Sequence, residues 1–212
     1  MDSNTIVNGL LQWLGLVILF TFHEFGHAWM AMKCGDNTAR DEGRVSLNPL
    51  VHIDPIGSVL LPLIMFLMPG GGMIGWAKPV PVNPNNLNNP RRDDVLVTLA
   101  GPWMNLVIAV ALVGLARIGI TFGGEQMANY CFSIAGLSLL LFFFNLLPVP
   151  PLDGSQLVRI AVRMDYATFA ELSRYGFMAL FILMNVRHVW DMLYFLTARS
   201  LNLIAGLFGL GI

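Results

Sequence analysis

Long apolar runs joined by short polar connections dominate the chain. Leu10 to Met32 is apolar for about 23 residues, near the roughly 20 that a bilayer core demands of a helix. Val95 to Ala116 and Cys131 to Leu152 each run 22 residues without a charge. Ile56 to Met68 is equally apolar but only 13 residues long, short for a span unless its flanks extend it. A helix is expected from Gly154 to about Met164. From Tyr175 the chain turns apolar again, interrupted at Arg187, Asp191 and Arg199, which predicts one or two further helices. The pattern predicts an all-α polytopic membrane protein with about five or six transmembrane or membrane-inserted helices.

Two stretches break the pattern. Pro69-Gly70-Gly71-Gly72 ends the short run, and from Gly75 to Pro84 the proline-rich sequence favours extended backbone over helix. Residues 70–90 are therefore expected to form a short extended or β-hairpin segment. Two readings of it stay open, a substrate-contacting hairpin and a plain surface loop. The glycine run lacks the Gly-Lys-Ser/Thr ending of a phosphate loop. The second break, Pro148, Pro150 and Pro151, stops the helix before Asp153.

Composition agrees with a membrane protein: 56% of residues are hydrophobic, 12% are charged, and the mean hydropathy is +0.66. With 212 residues, a single membrane-embedded domain over 1–212 is expected, with a core at about 10–165 and C-terminal helices at about 175–212. A net charge of −1 and no basic patch interleaved with aromatics leave nucleic acid without an electrostatic footprint. Cys34 and Cys131 lack paired spacing and read as apolar fillers. The N-terminus carries Asp2 and no positive region before the first apolar run, so that run is expected to stay in the mature protein. Lys33, Arg40 and Arg44 follow it, Arg91 and Arg92 precede the third run, and Arg159, Arg163 and Arg174 follow the proline cluster. These cationic flanks predict a cytoplasmic side for all three connections. His188, beside charges, reads as interfacial.

The chemistry sits at His23-Glu24-Phe25-Gly26-His27. On a helix the two histidines are four apart and share a face, as two zinc ligands require, with Glu24 beside them as a candidate base. A chance match is the alternative, but three ionisable groups inside an apolar run are costly and point to function. A catalytic zinc needs a third protein ligand and one open position, and Asp153 can supply it. The alternative role for Asp153 is to cap the helix that follows. Asn105, with Gly101 and Pro102 in the third run, either bonds a neighbouring helix or donates to a developing oxyanion.

His23-Glu-Phe-Gly-His27, Gly75-Trp-Ala-Lys-Pro-Val-Pro-Val-Asn-Pro84, Ala100-Gly-Pro-Trp-Met-Asn105 and Asn145-Leu-Leu-Pro-Val-Pro-Pro-Leu-Asp-Gly154 together resemble the site-2 protease family of intramembrane zinc metalloproteases. The resemblance covers about residues 10–165. It implies one Zn2+ per chain held by His23, His27 and Asp153, with Glu24 as catalytic base and Asn105 and Asn145 as substrate or transition-state contacts. It implies a membrane-associated sheet segment at 70–90 and cleavage of transmembrane protein or peptide substrates. It also implies a multi-pass protein of the plasma membrane with its active site toward the cytoplasm. Many members carry a further N-terminal span and a PDZ domain, or a CBS domain; this sequence resembles a compact bacterial form without them. Two other classes stay open. A metal- or proton-coupled transporter usually shows internal repeats and a polar path through the membrane, and a catalytically inactive scaffold would have lost a ligand or the base.

Overall fold

The computed structural model describes residues 3–67 and 75–211, the side chains of residues 3–5 excepted. The described residues form helices and irregular segments with no strand, which agrees with the all-α expectation. In order these are α1 (Ser3–Lys33), α2 (Thr38–Asp41), α3 (Leu61–Leu67), α4 (Pro90–Thr121), α5 (Glu125–Asn145), α6 (Asp153–Ala161), α7 (Tyr166–Ser173), α8 (Gly176–Met184) and α9 (Arg187–Leu207). Among the described residues three stretches are long and apolar enough to cross a membrane: Ile6–Lys33, Pro90–Thr121 and Glu125–Asn145. The pair α7 and α8, bent by 52°, passes the same test together, and Pro55–Leu67 is a shorter apolar helix. Contacts divide the chain into two compact units, Met1–Asp93 and Asp94–Ile212.

In the first unit α1 has 31 residues, about 46 Å at 1.5 Å per residue, so it outruns a ~30 Å hydrocarbon core. Its end is built by Gly35, whose φ of +105° suits a residue without a Cβ. The Gly35 amide donates to Met32 O (3.3 Å) and the Asp36 amide to Ala31 O (2.9 Å), closing the helix with a Schellman motif. Asp36, fully buried, then gathers the connection: its carboxylate accepts from the Thr38 amide and hydroxyl, the Asn83 amide and the Asn86 side chain at 2.6–3.1 Å. Burial pushes this carboxyl up, but the four hydrogen bonds outweigh it and leave it below the usual carboxylate range. The Asn88 amide donates to Cys34 O (2.8 Å), so residues 83–88 are tied to the end of α1.

The short apolar run starts with a π-helical stretch, Pro55–Leu60, capped by the Asp54 carboxylate on the amides of Ile56 and Gly57, and continues as α3. Residues 70–74 of the expected hairpin lie outside the described residues. Residues 75–83 hold no strand, yet alternate amides point one way as they would in one. Trp76 N donates to Gly57 O (3.2 Å), Lys78 N to His52 O (2.8 Å) and Val80 N to the Glu24 carboxylate (3.0 Å). Pro79 lies between two of these amides and Pro81 follows the last, positions where no N–H exists to pair.

In the second unit Ala109, Val113, Ala135, Leu139, Ile204 and Ala205 form a buried cluster where α4, α5 and α9 meet. Small residues let such helices approach closely, as membrane packing requires. The expected run Cys131–Leu152 is displaced: α5 is Glu125–Asn145. Glu125 is accepted in the first turn, where the helix dipole favours a carboxylate, and Pro148 ends the helix sooner than the apolar run ends. Likewise α6 stops at Ala161 and not near Met164, because Arg163 turns left-handed (φ 60°) while the Met164 amide returns to Arg159 O.

Candidate metal centre

His23 and His27 come from one turn of α1, four residues apart, and their rings meet edge to face at 81° with centroids 4.7 Å apart. The two Nε2 atoms face each other at 3.1 Å. Two nitrogens on a tetrahedral zinc at ~2.0–2.1 Å each would stand about 3.3 Å apart, so the pair is spaced as two corners of such a site. His23 is buried and His27 half-buried, in a helix whose neighbouring positions Leu16, Leu19 and Ala28 are core. The residues therefore fit a zinc ion by ligand type and by spacing.

Glu24 lies beside them, half-buried, and its Oε2 accepts the Val80 amide at 3.0 Å. Around it the first unit places two groups that the sequence reading did not assign to the site. His52, almost fully buried, donates from Nε2 to Ser46 O (2.8 Å), which leaves Nδ1 as the acceptor facing the Arg44 guanidinium at 3.5 Å. Burial pushes the His52 imidazole below its ordinary pKa. The Ser46 carbonyl opposes burial, Arg44 adds to it and Glu24 opposes it least; burial dominates, so the ring is neutral at pH 7. Arg44 was read as a flanking topology charge; its side chain is instead buried, donating to Lys78 O (2.6 Å) and Pro79 O (3.1 Å).

In the second unit Asp153 opens α6, with Leu152 and not Asp153 at the N-cap position and no side-chain cap bond there. Gly154 after it is set by close approach: a Cβ there would lie 2.2 Å from Leu146 O, because the proline turn folds directly onto the start of α6. Asn105 is buried within α4, and its backbone carbonyl accepts the Ser138 hydroxyl at 2.6 Å. Asn145 ends α5, and its Nδ2 donates to Leu141 O at 2.9 Å. Arg159, also read as a topology charge, is buried six residues beyond Asp153. It pairs with Asp94, donates to Gln156 Oε1 and the Tyr166 hydroxyl, and stacks 3.8 Å over the Tyr166 ring.

Comparison with known proteins gives these residues a context. The profile of Peptidase family M50 matches residues 12–124 and 122–184. "Putative zinc metalloprotease YwhC" of Bacillus subtilis is 39% identical over 176 residues, covering 79% of this chain and 77% of that protein. "Putative zinc metalloprotease Rip2" of Mycolicibacterium smegmatis is 37% identical over 143 residues, 66% of this chain. The match spans 52% of that relative, about half its length. Rip2 of Mycobacterium tuberculosis H37Rv is 32% identical over 170 residues, 71% of this chain and 64% of that protein. No solved structure matches the chain at a significant level. A family profile spanning most of the chain, with a relative of this identity and coverage, agrees with the four motifs: the chain belongs to peptidase family M50, the site-2 proteases.

Proposed function

We propose that this membrane protein is an intramembrane zinc metalloendopeptidase that hydrolyses peptide bonds within or near transmembrane segments of other membrane proteins. The observation that carries the reading is the His23/His27 nitrogen pair at 3.1 Å, with the Glu24 carboxylate beside it, in a helix apolar enough to cross a bilayer. His23, His27 and Asp153 are the proposed ligands of one Zn2+, two neutral imidazoles and one carboxylate, the donor set of an open catalytic site. A zinc held there supplies Lewis acidity to the attacking water and to the carbonyl oxygen.

The chain's own groups do the rest. Glu24 removes a proton from water as its oxygen attacks the peptide carbonyl, and returns it to the amine as the C–N bond breaks. Asn105 and Asn145 are proposed to donate amide hydrogens to substrate or to the oxygen on which negative charge develops. A substrate helix must first unwind, since its peptide groups are otherwise occupied by their own hydrogen bonds. The two units are proposed to act as one protease domain of the plasma membrane, with the reaction toward the cytoplasmic side where the cationic connections gather. The test is cleavage of a transmembrane peptide by the purified chain. Glu24→Gln should keep its zinc and lose cleavage, whereas His23→Ala should lose both. Cleavage by Glu24→Gln at the wild-type rate would reject the mechanism.

A further inference from the structure

The first unit contains a buried guanidinium whose hydrogen bonds, among the described residues, go to neutral acceptors. Arg44 is 3% exposed, and its two terminal nitrogens grip the consecutive carbonyls of Lys78 and Pro79 at 2.6 and 3.1 Å. Keeping a cation out of water is costly unless its charge is answered. The answer lies one peptide away. The Pro79–Val80 peptide group takes the Arg44 proton on its oxygen and gives its own N–H to Glu24 Oε2 at 3.0 Å. Guanidinium, amide and carboxylate thus form one polarised relay in which each hydrogen bond strengthens the other. Neighbouring bonds hold the relay in place: Lys78 N donates to His52 O at 2.8 Å, and His52 is itself fixed by Ser46 O and stays neutral facing the cation.

We propose that Arg44 is a positioning residue for Glu24, acting through the Pro79–Val80 peptide. The relay holds the carboxylate in one rotamer and occupies Oε2, so Oε1 is the oxygen that exchanges the proton with water and leaving amine. A planar fork is needed to hold two carbonyls at once, and a lysine offers only a point charge on a flexible stem. This inference rests on the protease reading for its effect on rate, but the relay can be tested without it.

The experiment uses the purified full chain in detergent and a transmembrane peptide substrate. Arg44→Ala should keep its zinc and its KM within twofold while kcat falls at least tenfold, the order of loss that misplacing a reacting group by a fraction of an ångström produces. Arg44→Lys should recover part of that loss. Val80→Pro removes the N–H that reaches Glu24, at a position already preceded and followed by proline, and it should lose kcat as Arg44→Ala does. Should Arg44→Ala fail to fold, Arg44→Lys and Val80→Pro decide. Wild-type kcat in Val80→Pro, or in Arg44→Ala, overturns the proposal. Should the wild type cleave nothing beyond Glu24→Gln, the protease reading fails, and thermal unfolding of Arg44→Lys, Glu24→Gln and the double variant tests the relay alone. Non-additive shifts support it and additive shifts overturn it.

Discussion

Breaking the Arg159–Asp94 pair should cost more than any surface ion pair in the molecule. The two side chains are 5% and 15% exposed, and the Asp94 carboxylate also accepts the Tyr166 hydroxyl at 2.7 Å. Removing one partner of a buried pair strands the other charge, a loss of about 3–5 kcal/mol. Arg159→Met also gives up the stacking over Tyr166, about 1 kcal/mol in a partly desolvated setting, and the bond to Gln156 Oε1. The expected loss for Arg159→Met is therefore about 5 kcal/mol. Arg159→Lys should lie between it and the wild type, because an ammonium cannot meet Gln156, Asp94 and the Tyr166 hydroxyl from one plane. The double variant Asp94→Leu/Arg159→Met should recover most of the stability, since removing both charges strands neither. Equilibrium unfolding in mixed micelles of the two singles and the double measures this. A loss under about 1 kcal/mol in Arg159→Met, or a double variant no more stable than the sum of the singles predicts, would refute the reasoning. Arg159 sits on α6, the helix that Asp153 opens, and Asp94 on α4, so the pair's contribution to that helix bears on the proposed third ligand.

Two further perturbations follow from the same geometry. Gly154→Ala places a Cβ against the backbone oxygen of Leu146, which cannot rotate away; it should destabilise by about 1–3 kcal/mol and lower zinc content, read by unfolding and metal analysis, with wild-type values on both counting against the close approach. Asp36 has a folded-state pKa below its ordinary ~3.9, so its stabilisation is present above pH ~4 and is lost as pH falls through the folded value. Below pH ~4 the wild type should lose stability more steeply than Asp36→Asn, and parallel curves there would contradict the assignment.

How far the sequence carried depends on the range over which each feature is encoded. That His23 and His27 share a face of one helix was legible because helical spacing alone sets it, and the proline cluster ends a helix by local chemistry. The end of α5 was misjudged because hydropathy does not distinguish an apolar helix from the apolar turn Leu146–Leu152 after it. Arg44, Asp36 and Arg159 were the larger miss. In sequence they are charges in polar connections, and the two arginines read as topology markers. Their partners, Pro79, Asn83 and Asp94, lie 35 to 65 residues away, and no local pattern announces that pairing. The one available signal was that the prolines at 79, 81 and 84 deny that segment a regular ladder and leave its carbonyls open to side-chain donors.

The most direct measurement is the zinc content of the purified chain together with X-ray absorption at the zinc edge, for wild type and Asp153→Ala. The account predicts one zinc per chain with two imidazole nitrogens and carboxylate oxygen in its shell, and a large loss of zinc in Asp153→Ala. Full occupancy and an unchanged shell in Asp153→Ala would contradict it.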